Sequence, residues 1–221
     1  MERILESELM DDPDQARAYA QGDFEAPHNE IISHFVRVFA DVDVVGKVLD
    51  LGCGPADIAV RFARRYPHCH IDGVDGAPSM LMLGRDRIEQ AGLAGRIRLS
   101  HQVLPTDSLP PARYATVISN SLMHHLHDPM VLWSTIKHAA APTARVFIAD
   151  LMRPVSSRAA RALVEQYAAG EPPILQRDFY NSLCAAFTPD EVTAQLAAAG
   201  LNSFHVEAID DRHLAAWGFY L

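Results

Sequence analysis

The sequence predicts an α/β protein, a parallel sheet with helices packed on both faces. Two observations carry that prediction. Between residues 47 and 150, five short apolar runs alternate with segments of helical period, and strands that alternate with helices close into parallel βαβ units. The first run also ends in Gly52-Cys53-Gly54-Pro55, a glycine turn of the kind that joins a strand to a helix.

The elements follow in order. Residues 1–45 read as helical, with Asp14–Tyr19 and Glu30–Phe39 as the best candidates and Pro13 and Pro27 as breaks. Lys47–Leu51 is the first strand, and Ile58–Tyr66 has helical spacing. His70–Asp75 is the second strand, followed by a helix over Pro78–Ala91. Arg96–Leu99 and Tyr114–Ser119 are the third and fourth strands, Met130–Ala140 a helix, and Ala144–Asp150 the fifth strand. Beyond Pro154, Ser156–Ala169 is helical and Gly170-Glu171-Pro172-Pro173 interrupts. Pro189–Ala199 is a helix opened by Thr188 with Glu191 three residues on, a capping box, and closed by Gly200. Ser203–Ala208 and Leu214–Leu221, with Asp210-Asp211 between them, read as a terminal antiparallel pair. Without repeats or low-complexity linkers, the organisation expected is a helical segment, 1–45, and one compact unit, 46–221.

Composition narrows the function. The 221 residues, 49% of them hydrophobic, suffice for a sizeable core. A net charge of −9 argues against a sequence-independent grip on nucleic acid, which needs Lys and Arg on phosphates. Arg61, Arg64 and Arg65, at helical spacing, read as a solvated helix face. The first residues lack the apolar core of a signal peptide, and no apolar run approaches the ~18–20 residues of a membrane span. Cys53, Cys69 and Cys184 form no CxxC pair or zinc spacing, which fits reduced thiols in a cytoplasm. A cytoplasmic protein with neither nucleic acid nor membrane as partner is expected.

The glycine turn, Asp50-Leu51-Gly52-Cys53-Gly54-Pro55-Ala56, carries the chemistry. Glycine lets the backbone approach a ligand, and the following helix points free N–H groups at the same place. A dinucleotide, a phosphate or a nucleoside could sit there. The dinucleotide pattern requires Gly or Ala at position 57, which is Asp, and no Gly-Lys-Ser/Thr of a P-loop follows. Asp50 and Asp57 suit a cationic ligand such as S-adenosylmethionine (SAM), which has no phosphate. Asp75, at the end of the second strand and 21 residues after Gly54, stands where an acid can accept hydrogen bonds from both hydroxyls of a ribose. The competing reading of Asp75 is a turn or N-cap residue.

At this point the chain resembles the class I SAM-dependent methyltransferases. Val48-Leu49-Asp50-Leu51-Gly52-Cys53-Gly54 is similar to their first motif, and Gly73-Val74-Asp75-Gly76-Ala77-Pro78-Ser79-Met80-Leu81 to their second. Ala115 to Leu126, ending in Met123-His124-His125-Leu126, is similar to their fourth-strand motif. The resemblance covers roughly residues 44–221. It implies a Rossmann-like, doubly wound seven-stranded sheet, mostly parallel with an antiparallel last strand, and a helical N-terminal lid. SAM would be the cofactor and S-adenosylhomocysteine (SAH) the product. Asp50 and Gly52, with Gly54 in the same turn, would hold the methionine part, and Asp75 the ribose. Gly76 and Met80 would border the adenine, Gln102 and Val103 would lie on its other side, and Asn120 near the methionine part. Two positions depart from the family: Ala56 stands where a third glycine is common, and Gln102 where the family often has Asp.

The acceptor side is less defined. Methyl transfer from a sulfonium is an in-line displacement, in which positioning supplies much of the rate, and a base is needed only if the acceptor must lose a proton. His124 and His125, clustered with His127, are candidates for general base or acceptor clamp; the competing reading is a histidine that holds the loop. No carboxylate set near the cluster completes a metal site in the sequence, so no metal is expected. Arg153 is a candidate clamp for a substrate carboxylate, or else an internal ion pair with Asp150. Arg177, Tyr180 and Asn181, in the stretch where the family builds its acceptor lid, are candidate substrate contacts, with a solvated helix start as the alternative. Tyr19 and Phe24 of the lid, and His213 between the last strands, complete the expected substrate set.

The function expected is methylation of a small polar molecule at O, N or S. Arg153, Arg177 and the histidines suit an amino-acid-like or imidazole acceptor, and imidazole N-methylation of the thiohistidine (ovothiol) type is a specific case. An NAD(P)-dependent oxidoreductase and a non-catalytic SAM-binding subunit are the alternatives. A homodimer is compatible with the sequence.

Overall fold

The computed structural model describes residues 1–40 and 43–221; residues 41–42, within the expected helical segment 1–45, lie outside the described residues. Seven strands form one sheet in the order β3-β2-β1-β4-β5-β7-β6. β1 (Gly46–Leu51), β2 (Cys69–Asp75), β3 (Ile97–His101), β4 (Tyr114–Asn120) and β5 (Ala140–Leu151) run parallel. β7 (His213–Phe219) lies antiparallel between β5 and β6 (His205–Ala208), so the antiparallel last strand is as expected. The order reverses between β1 and β4. In a doubly wound sheet that reversal opens a crevice at the carboxyl ends of the strands.

Both faces are covered because the central strands are apolar on both sides. In β5, Val146-Phe147-Ile148-Ala149 is buried without a break, the pattern of a strand packed on two faces. Its side chains alternate between faces. Val146 and Ile148 join Leu49, Trp133 and Leu196 beneath α5 (Met130–Ala139) and α8 (Pro189–Ala199). Phe147 and Ala149 join Val48, Phe35, Phe62 and Ile88 beneath α2 (Glu25–Val38), α3 (Asp57–Arg65) and α4 (Pro78–Gln90).

The N-terminal region departs from the expected run of helix. Residues 1–11 contain no helix and cross the molecule as a strap. Asp12 then caps α1 (Pro13–Gln21), accepting the Asp14 and Gln15 N–H groups at 2.9 Å. Pro13, read as a break, is the first helical residue, where the missing N–H costs nothing. Pro27 falls in the first turn of α2. A second difference follows α6 (Ser157–Tyr167). Pro173, part of the expected interruption, opens α7 (Pro173–Ala185), so Gln176–Ser182 is helix. The capping box of α8 and its closure at Gly200 are as read. The three cysteines are free and buried. Among the described residues, no helix is long and apolar enough to cross a membrane.

α2 belongs to the main core through Phe35. Its ring meets Phe39, Phe62, Tyr66 and Phe147 with every centroid within 5.8 Å. Phe35→Ala is therefore expected to lower the free energy of unfolding in urea by about 3–5 kcal/mol, in one shared transition. A separate early transition for the N-terminal region, with the main midpoint unmoved, would show that α2 is only an appendage.

Candidate active site

β1 leads into Gly52 and Gly54, at φ +68° and +49°, a region that favours glycine. The turn they make closes onto Asp75 at the end of β2. Asp75 Oδ2 accepts the Gly54 N–H and Oδ1 the Ala77 N–H, each at 2.8 Å. Each oxygen keeps a lone pair for a further donor. Burial raises the Asp75 pKa against the two hydrogen bonds that lower it. Asp50 is fully enclosed, and its Oδ2 has no hydrogen-bond partner. Burial, and after it the charge of Asp75, push its pKa up to about 8.

Ala56 has φ +60°, so the position where the resemblance led one to expect a third glycine does adopt the left-handed region here. An alanine there carries about 1–2 kcal/mol of strain. Asp57, beginning α3, bonds His28 at 2.6 Å and Arg61 at 2.7 Å, with Arg87 at 3.6 Å. Burial opposes its ionisation, but the hydrogen bonds from His28 and Arg61 hold its pKa well below the ordinary carboxylate range.

A cavity of about 740 Å³ opens above this turn. Asp50, Gly52, Gly54, Asp75, Gly76, Met80, Gln102, Val103 and Asn120, the residues expected around the cofactor, all line it. The donors and acceptors on its wall fit the nucleoside. Asp50 Oδ2 and Gln102 Oε1 are buried acceptors without partners, and SAM offers an ammonium and an adenine amino group as donors. A Cβ built on Gly54 would meet nothing within 4 Å, so the turn leaves open space. A Cβ on Gly76 would come within 2.6 Å of Leu9, so the strap lies directly over Gly76.

The expected substrate residues divide. Tyr19, Phe24 and His213 line the cavity. Tyr19 and Phe24 pack with centroids 4.9 Å apart, and His213 Nδ1 meets Asp210 at 2.8 Å. Arg153, Arg177, Tyr180 and Asn181 do not line it, which corrects the expectation. The Arg153 guanidinium is buried, donating to Ala186 O at 3.0 Å and to Glu191 at 2.5 Å; its ion-pair partner is Glu191 rather than Asp150. Arg177 pairs with Asp178, and Tyr180 packs within the α6–α7 cluster. Arg177 and Asn181 border a smaller neighbouring pocket with Glu6 and His125. The cause is helical periodicity: in α7 the positions facing the main cavity are Leu175, Asp178, Phe179 and Ser182, one stripe at spacings of three and four.

His124 and His125 lie in a 3₁₀ turn after β4, and both border the cavity. The ring of His124 is buried, with Nδ1 bonded to Asp150 and Nε2 3.5 Å from Glu6 Oε1. Burial disfavours charging His124, but the charge and hydrogen bond of Asp150 outweigh it and raise its pKa. Burial, and then the charge of His124, push His125 down to about 3. No carboxylate set was expected to complete a metal site here, and the structure brings two carboxylates, Asp150 and Glu6, to the cluster. Glu6 is the residue the sequence hid most completely, since it lies on the strap, far from every motif. Tyr167 and Phe179 also line the cavity unannounced.

Residues 48–143 match the family model described as "Methyltransferase domain". The chain is 31% identical over 107 residues to an uncharacterized methyltransferase of Mycobacterium tuberculosis, covering 48% of this chain and 51% of that protein. It therefore spans about half the length of that curated relative. In structure it is similar to a SAM-dependent methyltransferase from Aquifex aeolicus, with TM-score 0.68 and 15% identity over 95% of this chain and 99% of that one. It is also similar to the plantazolicin methyltransferase BpumL, solved with a desmethylPZN analog and SAH, with TM-score 0.67 and 13% identity over 94% and 91%. The two structures establish the fold. Residues 48–143 are therefore similar to methyltransferase domains, and the chain as a whole shares the fold of these two structures.

Asp50 gives a test in pH. If its carboxylate must ionise to meet the ligand's ammonium, binding releases a proton below the free pKa. SAH affinity measured by calorimetry is expected to rise from about pH 6 to about pH 8 and then level off. Asp50→Asn should flatten the rise. A flat profile in the unaltered protein would remove Asp50 from that role.

Proposed function

We propose that the chain transfers the methyl group of SAM to a small polar molecule, in line, onto O, N or S. The observation that carries this reading is the Asp75 carboxylate, which gathers the glycine turn while keeping acceptor capacity toward the cavity. Bound SAM supplies an electrophilic methyl on a sulfonium. Asp75 would accept the ribose hydroxyls, Gln102 Oε1 the adenine amino group and Asp50 the ammonium. Tyr19 and Phe24, with the strap, exclude water above the cofactor. His124, held through Nδ1 by Asp150, and His125 would orient the acceptor's heteroatom.

A small acceptor is supported by what encloses the cavity: the strap on one side and the α6–α7 segment, with Tyr167, Leu175 and Phe179, on the other. Aromatic and carboxylate side chains share that wall, with Asp178 7% exposed. A polar molecule with an apolar body matches it.

Two measurements test the proposal. Asp75→Ala is expected to weaken SAH binding by about 1–3 kcal/mol, with Asp75→Asn as a milder control for the turn; unchanged affinity in both would end the assignment. Methyl-labelled SAM incubated with the protein and a cell extract should pass label to the low-molecular-weight fraction. Label in RNA or protein would contradict the small acceptor. SAH binding without transfer from any extract would instead indicate a subunit that binds the nucleoside and does no chemistry.

A further inference from the structure

We propose that Glu6, His124 and His125 hold a divalent transition-metal ion, of the Zn²⁺ type, in the wall of the cavity. The three offer one ligand atom each, all within 4.8 Å of one another. Glu6 Oε1 lies 3.5 Å from His124 Nε2 and 3.4 Å from His125 Nδ1. Ligands about 2.1 Å from a tetrahedral Zn²⁺ stand about 3.4 Å apart. The two oxygen-to-nitrogen edges therefore have the length of a coordination edge and exceed a good hydrogen bond. Glu6 Oε1 is buried with no hydrogen-bond partner, a condition that calls for an explanation.

The surroundings match a built site. The His124 Nδ1 bond to Asp150 fixes the ring so that Nε2 faces Glu6, the carboxylate–histidine arrangement that orients a metal ligand. Glu6 Oε2 accepts from Ser182 Oγ at 3.2 Å. The strap is locked onto the histidine turn: Arg3 donates to His124 O and Leu126 O at 2.9 Å, and His127 Nε2 meets Glu6 O at 2.8 Å. His125 Nδ1 also meets Ser7 O at 3.1 Å, a bond that the ion would displace, so Glu6 is held beside the histidines by Arg3, by its own carbonyl and by Ser7. Glu6 and Asp150 together bring two carboxylates, which a dication between neutral imidazoles balances.

Two imidazoles and a carboxylate suit Zn²⁺, Fe²⁺, Co²⁺ or Ni²⁺ better than Mg²⁺ or Ca²⁺. Three protein ligands leave a position open, and both histidines border the cavity. The use of the ion rests on the methyltransferase reading. It would grip the acceptor's O, N or S and lower its pKa, so that the acceptor's proton passes to solvent before the methyl group arrives. The site itself does not depend on that reading.

The test uses untagged full-length protein, stripped with a chelator and titrated with Co²⁺ while visible absorption is recorded. One Co²⁺ per chain is expected, with the intense bands of four- or five-coordination, displaced by Zn²⁺. Glu6→Gln and His125→Ala should each weaken Co²⁺ at least about tenfold, and Asp150→Asn about 10–100-fold, while SAH affinity in Glu6→Gln stays unchanged. No stoichiometric Co²⁺ in the unaltered protein would overturn the proposal. So would equal Co²⁺ binding in Glu6→Gln and His125→Ala, provided that both still bind SAH and are thus folded. Stoichiometric Co²⁺ without any SAH binding would uphold the ion site and sink the cofactor reading.

Discussion

A buried carboxylate must find hydrogen-bond donors or become too costly to keep charged, and Asp75 meets that demand with the backbone of two different turns. Its oxygens hold the Gly54 and Ala77 N–H groups, so the turn after β1 and the turn after β2 close on the same point. Gly52 and Gly54 allow this because both adopt positive φ. The reversal of strand order beside β1 leaves the space above them open. The closure of the two turns at the cavity floor follows from where that one side chain is placed.

The fold was legible because its evidence is local. Apolar runs such as Val146-Phe147-Ile148-Ala149 need no distant partner to be recognised as strands, and the box of Thr188 and Glu191 marks a helix start within four residues. The proposed cofactor half of the site is read from the sequence for the same reason: Asp50, Gly52, Gly54, Asp75 and Gly76 lie in two short motifs and all line one cavity. Where local signals conflict, the sequence misled. Pro13 and Pro173 read as breaks, yet each opens a helix, and overlooking α7 turned Arg177, Tyr180 and Asn181 toward the cavity when the helix turns them away. Arg153 read as a clamp or as a partner of Asp150 because Glu191, with which it pairs, is distant in sequence.

The proposed acceptor half is assembled from long-range contacts that leave no pattern behind. Glu6 comes from the strap, His124 and His125 from the turn after β4, Asp150 from β5, and Ser182 from α7. Arg3 joins strap to turn by reading backbone carbonyls, which no side-chain pattern could announce. The same strap places Leu9 over Gly76. One segment thereby touches the expected nucleoside site and the histidine cluster together.

The account stands or falls on the occupant of the Asp75 cradle. A crystal structure of the full chain with SAH tests it most directly. The account predicts both ribose hydroxyls within hydrogen-bond distance of Asp75, the adenine beside Gln102 and the ammonium against Asp50. A nucleoside bound elsewhere, or bound in the cavity with its sugar away from Asp75, would contradict it.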